Sequence, residues 1–375
     1  MVGVGHVSEM GFHFDPQRLF FRAFCTEEEI DRILTPKSAS DYLLRTRAET
    51  IADHARLTRV YRDKAREAGD SWSFSSSFDD EHYRDVLERL PAQKKAVCGN
   101  VMYGDIFSDD PNGMIFKTDF GPVLTISESL RYFLKFANLT LMDFGDQVPW
   151  SVKINAIRIA IRVMLKTEAM DFELDPRGIV PGHIEAALDA VTRKQMTFVA
   201  AHEFSHYLLG HLSDSELHEQ PIFRAISNQD DDYRPLKVYT TSQSNEFEAD
   251  ASAITVPRYG KLERLHITQS ALVWFGALHL YQSVSNTIFP TPNWLPKSHP
   301  TALERFDEIL RLGLQRRYLS SKAWKGFRRF VTDMEGFVLE DVSVNFDNYE
   351  QYGSVYLDAP NTAWRGRNLI DRVDF

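Results

Sequence analysis

The chain has 375 residues, 43% hydrophobic and 26% charged, the composition of an ordinary globular protein with one large core or two smaller ones. Its formal net charge of −10 argues against general nucleic-acid binding. The two cysteines, Cys25 and Cys98, are too few for a disulfide framework or a thiolate zinc site. Residues 1–20 lack the features of a signal peptide, and no apolar run approaches the roughly 20 residues that span a bilayer. We therefore expect a soluble, cytoplasmic protein.

Residues 1–95 are predicted to form an N-terminal helical region without a catalytic motif. Residues 26–29 read Thr-Glu-Glu-Glu, the pattern of a capping box that opens a helix. A helix-favouring run extends from residue 40 to residue 68, and Gly69 is placed to end it. These helices are expected to cover a core or hold a partner.

Short apolar runs predict strands after this region, at residues 101–107, 114–118 and 123–126. The first two runs are separated by residues 109–113, Asp-Asp-Pro-Asn-Gly, which is a strong turn signal. We expect these strands to form a small antiparallel sheet.

Helices are predicted to follow the sheet. Ser127 is placed as a helix N-cap, residues 152–174 carry apolar side chains at helical spacing, and another helix begins near Ile184. Residues 213–243 are polar, and a loop of this length inside a compact chain is typical of a lid, a binding loop or a disordered segment.

The helix that begins near Ile184 carries the pattern H-E-x-x-H at His202, Glu203 and His206. Residues four apart share a helix face, so the two histidines can reach one metal ion. Glu203 is rotated by roughly 100° from His202, where it can act as general base without being a ligand. The alternative is an amphipathic helix with two surface histidines. The apolar neighbours of the motif favour burial, and buried histidines need partners that a metal supplies.

A catalytic zinc site commonly has three protein ligands, so a third is required. His211 fits the spacing H-E-x-x-H-x-x-G-x-x-H poorly, and the negative end of the helix dipole is a better explanation for it. Glu246 and Asp250 are four apart at the start of an apolar helix. Glu246 can serve as the third ligand while Asp250 orients a ligand histidine by a hydrogen bond. Acids that complement the dipole at a helix N-terminus are the alternative explanation.

These motifs together resemble those of the gluzincin metallopeptidases of the CAAX prenyl-protease and HtpX type. Their pattern is H-E-x-x-H followed by E-x-x-x-D, here 202–206 and then E-F-E-A-D at 246–250. A third element, S-H-P-T-A-L-E-R at 298–305, is similar to the family segment whose histidine and arginine face the active site. The resemblance implies such roles for His299 and Arg305. By helix-capping rules, Thr301 and Glu304 in this element also form a capping box.

The resemblance spans residues 97–312 and implies a mostly helical α+β fold with a zincin-like core, a small antiparallel sheet and the H-E-x-x-H active-site helix. We expect three parts, an N-terminal helical region (1–95), a metallopeptidase domain (96–312) and a C-terminal extension (313–375). Members of the family commonly have transmembrane helices or a secretion signal, and this chain shows neither.

The predicted function is that of a zinc-dependent endopeptidase. His202, His206 and Glu246 would hold Zn²⁺, and Glu203 would act as general base toward a zinc-bound water. His299 or Arg305 would assist at the developing oxyanion. A protein or peptide substrate is expected, bound against an edge strand for which residues 114–118 are the candidate.

Two alternatives remain open. The first is a cytosolic effector protease with one dedicated target, as in phage-exclusion peptidases such as Lit. The second is a catalytically silent binding protein that keeps the zinc fold, although such a protein does not need Glu203. The sequence does not identify the oligomeric state.

Overall fold

The structure is a computed structural model, and it describes residues 15–108, 113–212, 217–220, 236–239, 242–290, 300–359 and 362–364. The fold is mostly helical with a small sheet, so the predicted α+β class is confirmed at that level. No helix in the described part of the chain is long and apolar enough to cross a membrane. The helices are α1 Pro16–Phe21, α2 Glu27–Leu34, α3 Ala39–Ala52, α4 Ala55–Ala68, α5 Glu81–Arg89, α6 Ala92–Cys98, α7 Glu128–Leu141, α8 Trp150–Met164, α9 Gly182–Leu209, α10 Gln243–Thr255, α11 Lys261–Ile288, α12 Ala302–Gln315, α13 Ser321–Val344 and α14 Asp347–Glu350.

The capping box that opens α2 is confirmed, with Thr26 as N-cap and Glu29 closing it. The single helix expected over residues 40–68 is wrong, because the chain forms α3 and α4 with a break at His54, whose backbone is extended. The hydroxyl of Thr58 donates to the carbonyl of Ile51 at 3.0 Å. The same carbonyl also accepts from the amide of His54 at 3.1 Å, so the Thr58 bond is an additional link between the first turn of α4 and the end of α3.

The sheet is mixed, so the prediction of an antiparallel sheet is wrong in one pairing. Within the described residues the strand order is β1-β3-β2-β5-β4. β1 runs parallel to β3, whereas the other pairs are antiparallel. The strands are β1 Met102–Tyr103, β2 Gly113–Thr118, β3 Gly121–Ile126, β4 Leu217–Gln220 and β5 Leu236–Tyr239.

The parallel pairing continues beyond β1, and buried polar contacts explain it. The amide of Ile106 donates to Ile126 at 3.0 Å, which extends the path of β1 along β3. Asp105 precedes Ile106 in this segment. Its fully buried carboxylate accepts hydrogen bonds from Tyr83 on α5 and Arg131 on α7. These helices hold the segment beside β3. The turn predicted at 109–113 lies outside the described residues except for Gly113.

Helix α8 ends at Met164, ten residues before the predicted end at 174. Lys166 adopts a left-handed backbone with φ of 64°, which stops the helix. The buried carboxylate of Glu168 then bonds to Arg162 at 2.7 Å and to Arg177 at 2.9 Å. Helical spacing alone could not show that an ion pair redirects the chain.

Helix α9 lies at the centre of the main hydrophobic core and packs against α5, α7, α10 and α11. Residues of α13, including Val331 and Val338, belong to the same core, and α13 packs on α11. The N-terminal helices surround a second core that contains Phe24 and Tyr61. The domain boundaries at 95/96 and 312/313 stay predictions.

Candidate metal centre

The two histidines of the H-E-x-x-H pattern lie side by side on α9, as the helical spacing predicts. His202 and His206 are each 4% exposed. Their Nε2 atoms are 3.0 Å apart. Two imidazole nitrogens so close in a buried position require a proton or a cation between them, because their lone pairs repel.

The third group comes from α10, about 40 residues later in the chain. Ser242 caps this helix and Glu246 lies in its first turn. The Glu246 carboxylate oxygens lie 3.5 Å from Nε2 of His202 and 3.4 Å from Nε2 of His206. Ligand atoms about 2.0–2.1 Å from a tetrahedral zinc ion are about 3.3 Å apart, so these separations fit one ion. His202, His206 and Glu246 thus form a buried cluster that can hold a metal.

Asp250 lies one helical turn beyond Glu246 and contacts the outer nitrogen of His202, Nδ1, at 2.8 Å. This contact fixes the Nδ1–H tautomer and turns the Nε2 lone pair toward the cluster. Arg305 on α12 donates to Asp250 through Nε at 2.8 Å and through a terminal nitrogen at 2.7 Å. Its other terminal nitrogen lies 3.2 Å from Glu246. Arg305 therefore holds both acids of α10 in place.

The electrostatics of the two histidines differ although they are neighbours. Burial works to lower the pKa of His202, but the charge and hydrogen bond of Asp250 outweigh it and raise that pKa to about 9. Burial and the positive charge of His202 lower the pKa of His206 to about 3. Burial works to raise the pKa of Asp250, and the charges of Arg305 and His202 hold it below its usual range. Without a metal, His202 is therefore the protonated, positively charged histidine of the pair, and His206 is neutral.

Glu203 is 9% exposed and lies beside the cluster without being one of its three members. The start of β2 approaches it closely. A Cβ atom added to Gly113 would lie 2.5 Å from Oε1 of Glu203. A larger residue here would therefore force the Glu203 side chain to move from its present position, so the strand and the predicted general base lie in close contact.

The structure brings the predicted site residues together, whereas His299 lies outside the described residues; those brought together are His202, Glu203, His206, Glu246, Asp250 and Arg305. Arg305 contacts both acids of α10, and its role at an oxyanion stays a prediction. The expected edge strand at 114–118 is wrong, because β2 lies between β3 and β5 in the sheet. The capping box of Thr301 and Glu304, which starts the helix of Arg305, is confirmed.

Sequence reasoning missed one neighbour of the cluster. The sequence predicts that His211 lies at the helix end, where only the helix dipole accounts for it. Its Nδ1 lies 3.1 Å from Nδ1 of His206, and its Nε2 lies 3.3 Å from Glu248. The signal in the sequence was Gly210, because a glycine just past a helix end commonly folds the next residue back over the last turn.

Comparisons of the chain with protein-family models, with curated proteins and with solved structures give no match.

Proposed function

We propose that the chain is a zinc-dependent endopeptidase. The observation that carries the proposal is the buried cluster of His202, His206 and Glu246 with Glu203 beside it on the same helix. A site that only stored a metal would not require a second buried carboxylate that is not a ligand. The resemblance of the motifs to gluzincin peptidases supports the same activity.

The donor set favours zinc. Two histidines and one glutamate are the ligands of several zinc peptidases, and a buried three-ligand site leaves a coordination position for chemistry. Such a zinc ion would supply Lewis acidity and make a water molecule more acidic. The same donors also bind Fe²⁺ in some oxygenases, so metal analysis of the purified protein is part of the test.

The protein side chains supply proton transfer and alignment. Glu203 accepts the proton of the attacking water and returns it to the leaving amine, which is the usual division of labour for a carboxylate general base. Asp250 and Arg305 keep the ligands in position through the hydrogen bonds described above. A buried site with fixed dipoles needs little reorganisation during the reaction. The substrate is proposed to be a protein or peptide.

Two matched substitutions test the proposal. Glu203→Gln removes the base and no ligand, so zinc should stay bound while cleavage is lost. Glu246→Ala removes a ligand, so both zinc and cleavage should be lost. Zinc content is measured by atomic emission and cleavage by proteomics of new protein N-termini in cells that express either form. A Glu246→Ala protein that bound zinc as tightly as the parent would contradict the ligand assignment.

The same experiment separates the kinds of function. New N-termini in a single protein, with casein left intact, would indicate an effector protease with one dedicated target. New N-termini in many proteins would indicate a general peptidase. A zinc-loaded parent that produced the same N-termini as Glu203→Gln would point to a binding protein and overturn the proposal.

A further inference from the structure

The end of α9 has a geometry that places His211 against His206. Gly210 adopts a left-handed backbone with φ of 73° and ψ of 26°. The amide of His211 donates to the carbonyl of His206 at 3.0 Å, and the amide of Gly210 donates to that of Tyr207 at 3.3 Å. These two bonds define a Schellman motif, in which the residue after the glycine commonly contacts the residue that begins the last turn.

The two side chains in this contact are usually apolar, whereas here both are imidazoles. The ring centroids of His206 and His211 are 5.3 Å apart and the ring planes meet at 63°. Their Nδ1 atoms are 3.1 Å apart, which is hydrogen-bond distance. The His211 side chain is only 8% exposed, so water competes little for this bond. The contact between His206 and His211 is therefore part of the ordered structure at the end of α9.

The hydrogen-bond direction follows from the metal cluster. If Nε2 of His206 binds a metal, its proton must be on Nδ1, so Nδ1 donates and His211 accepts. His211 is then protonated on Nε2, which faces Glu248 at 3.3 Å. His202 is arranged in the same way, with Asp250 as the acceptor of its Nδ1 proton. Each ligand histidine thus has one outer partner.

We propose that His211 is a positioning residue for the metal ligand His206, with Glu248 orienting His211 in turn. This inference rests on the proposed function in one respect, that the cluster holds a metal. Outer partners of ligand histidines fix the tautomer and raise the basicity of the ligand, and their removal typically weakens metal binding about 10–100-fold. The chain of contacts runs from the exposed Glu248 to the buried site.

The test compares two polar substitutions of His211. His211→Asn keeps an acceptor near the place of Nδ1, whereas His211→Gln moves its polar atoms toward the place of Nε2. We expect His211→Gln to bind Zn²⁺ about 10–100-fold more weakly than the parent and His211→Asn to bind nearly as tightly. Affinity is measured by competition with a chromophoric chelator. The visible absorption of the Co²⁺-loaded proteins should shift for His211→Gln and stay close to the parent for His211→Asn.

His183→Asn is the matched control, because His183 is an exposed histidine near the other end of α9, about 35 Å from His206 along the helix. It should leave affinity and spectrum unchanged. His211→Ser also lacks a suitably placed acceptor and replaces His211→Gln if circular dichroism shows that the latter is unfolded. Equal Zn²⁺ affinity and an unshifted Co²⁺ spectrum in the acceptor-free variant would overturn the role of His211 alone. A parent that bound neither ion would overturn the proposed function, and this role with it.

Discussion

Replacement of Arg305 by methionine tests whether this residue holds the acids of α10. The guanidinium is 8% exposed and faces Asp250 at 2.7 and 2.8 Å and Glu246 at 3.2 Å. Asp250 and Glu246 are 1% and 4% exposed, so Arg305→Met would leave two buried carboxylates without the guanidinium that contacts both of them. Loss of one partner from a buried ion pair costs about 3–5 kcal/mol. We expect a loss of that size in the unfolding free energy of the metal-free protein.

The assay is urea unfolding followed by circular dichroism and by tryptophan fluorescence. Trp274 lies 5.6 Å from the Arg305 guanidinium and reports on the site. The double variant Arg305→Met with Asp250→Asn should be more stable than the sum of the two single losses predicts, by about 0.5–3 kcal/mol, because it removes one of the two buried carboxylates that Arg305 contacts.

The matched control is Arg311→Met on the same helix. Arg311 is exposed and pairs with Glu308 at the surface, so its replacement should leave the unfolding midpoint unchanged. Additive losses in the double variant, or a loss below about 1 kcal/mol for Arg305→Met, would refute the assigned role, since buried pairs cost more than this to break.

Two further predictions concern His202 and Gly113. The pKa of His202 is about 9 in the metal-free fold, against about 6.5 for an ordinary histidine, so its stabilising contribution is complete below about pH 6.5 and is lost as the pH rises to about 9. Zinc binding at pH 7 should accordingly release about one proton, measured by calorimetry in buffers of different ionisation enthalpy, and a proton count of zero would contradict this. Gly113→Ala should displace the Glu203 carboxylate and abolish cleavage while zinc stays bound, because the new Cβ would lie 2.5 Å from Oε1. Gly182→Ala at the start of α9, where nothing lies within 4 Å of the new Cβ, is its control, and equal activity of the two variants would contradict the steric argument.

Local rules predicted several starting points of helices correctly. Thr26 with Glu29 and Thr301 with Glu304 form the capping boxes expected from their spacing, and Ser127 is the N-cap of α7. These interactions lie within one helical turn, so the residue types and their spacing are sufficient information. Local rules failed where contacts outside the helix were involved, as at the early end of α8, where Lys166 turns left-handed and Arg177 donates to the buried Glu168.

The sheet shows the same limit. The apolar runs located β1, β2 and β3 within a few residues, whereas β4 and β5 lie within residues 213–243, where a loop was expected. Alternation along a strand also carries no information about which strand lies beside it. The position of β2 between β3 and β5 depends on a strand more than 100 residues away in the chain. Residues 114–118 alone could therefore not show whether their strand lies at the edge or in the middle of the sheet.

The candidate site likewise contains local contacts, which the sequence predicts, and long-range contacts, which it does not. His202, Glu203 and His206 are presented on one stretch of helix by the 3.6-residue period, so their sequence alone determined that the two imidazoles would meet. Other contacts in the site join segments that are far apart in the chain. They are the contacts of Glu246 and Asp250 with the histidines, the hydrogen bonds from Arg305 to Asp250, and the contact of Gly113 with Glu203. Those contacts exist because α10, α12 and β2 pack in one core with α9, and only the tertiary structure decides which faces of packed elements meet.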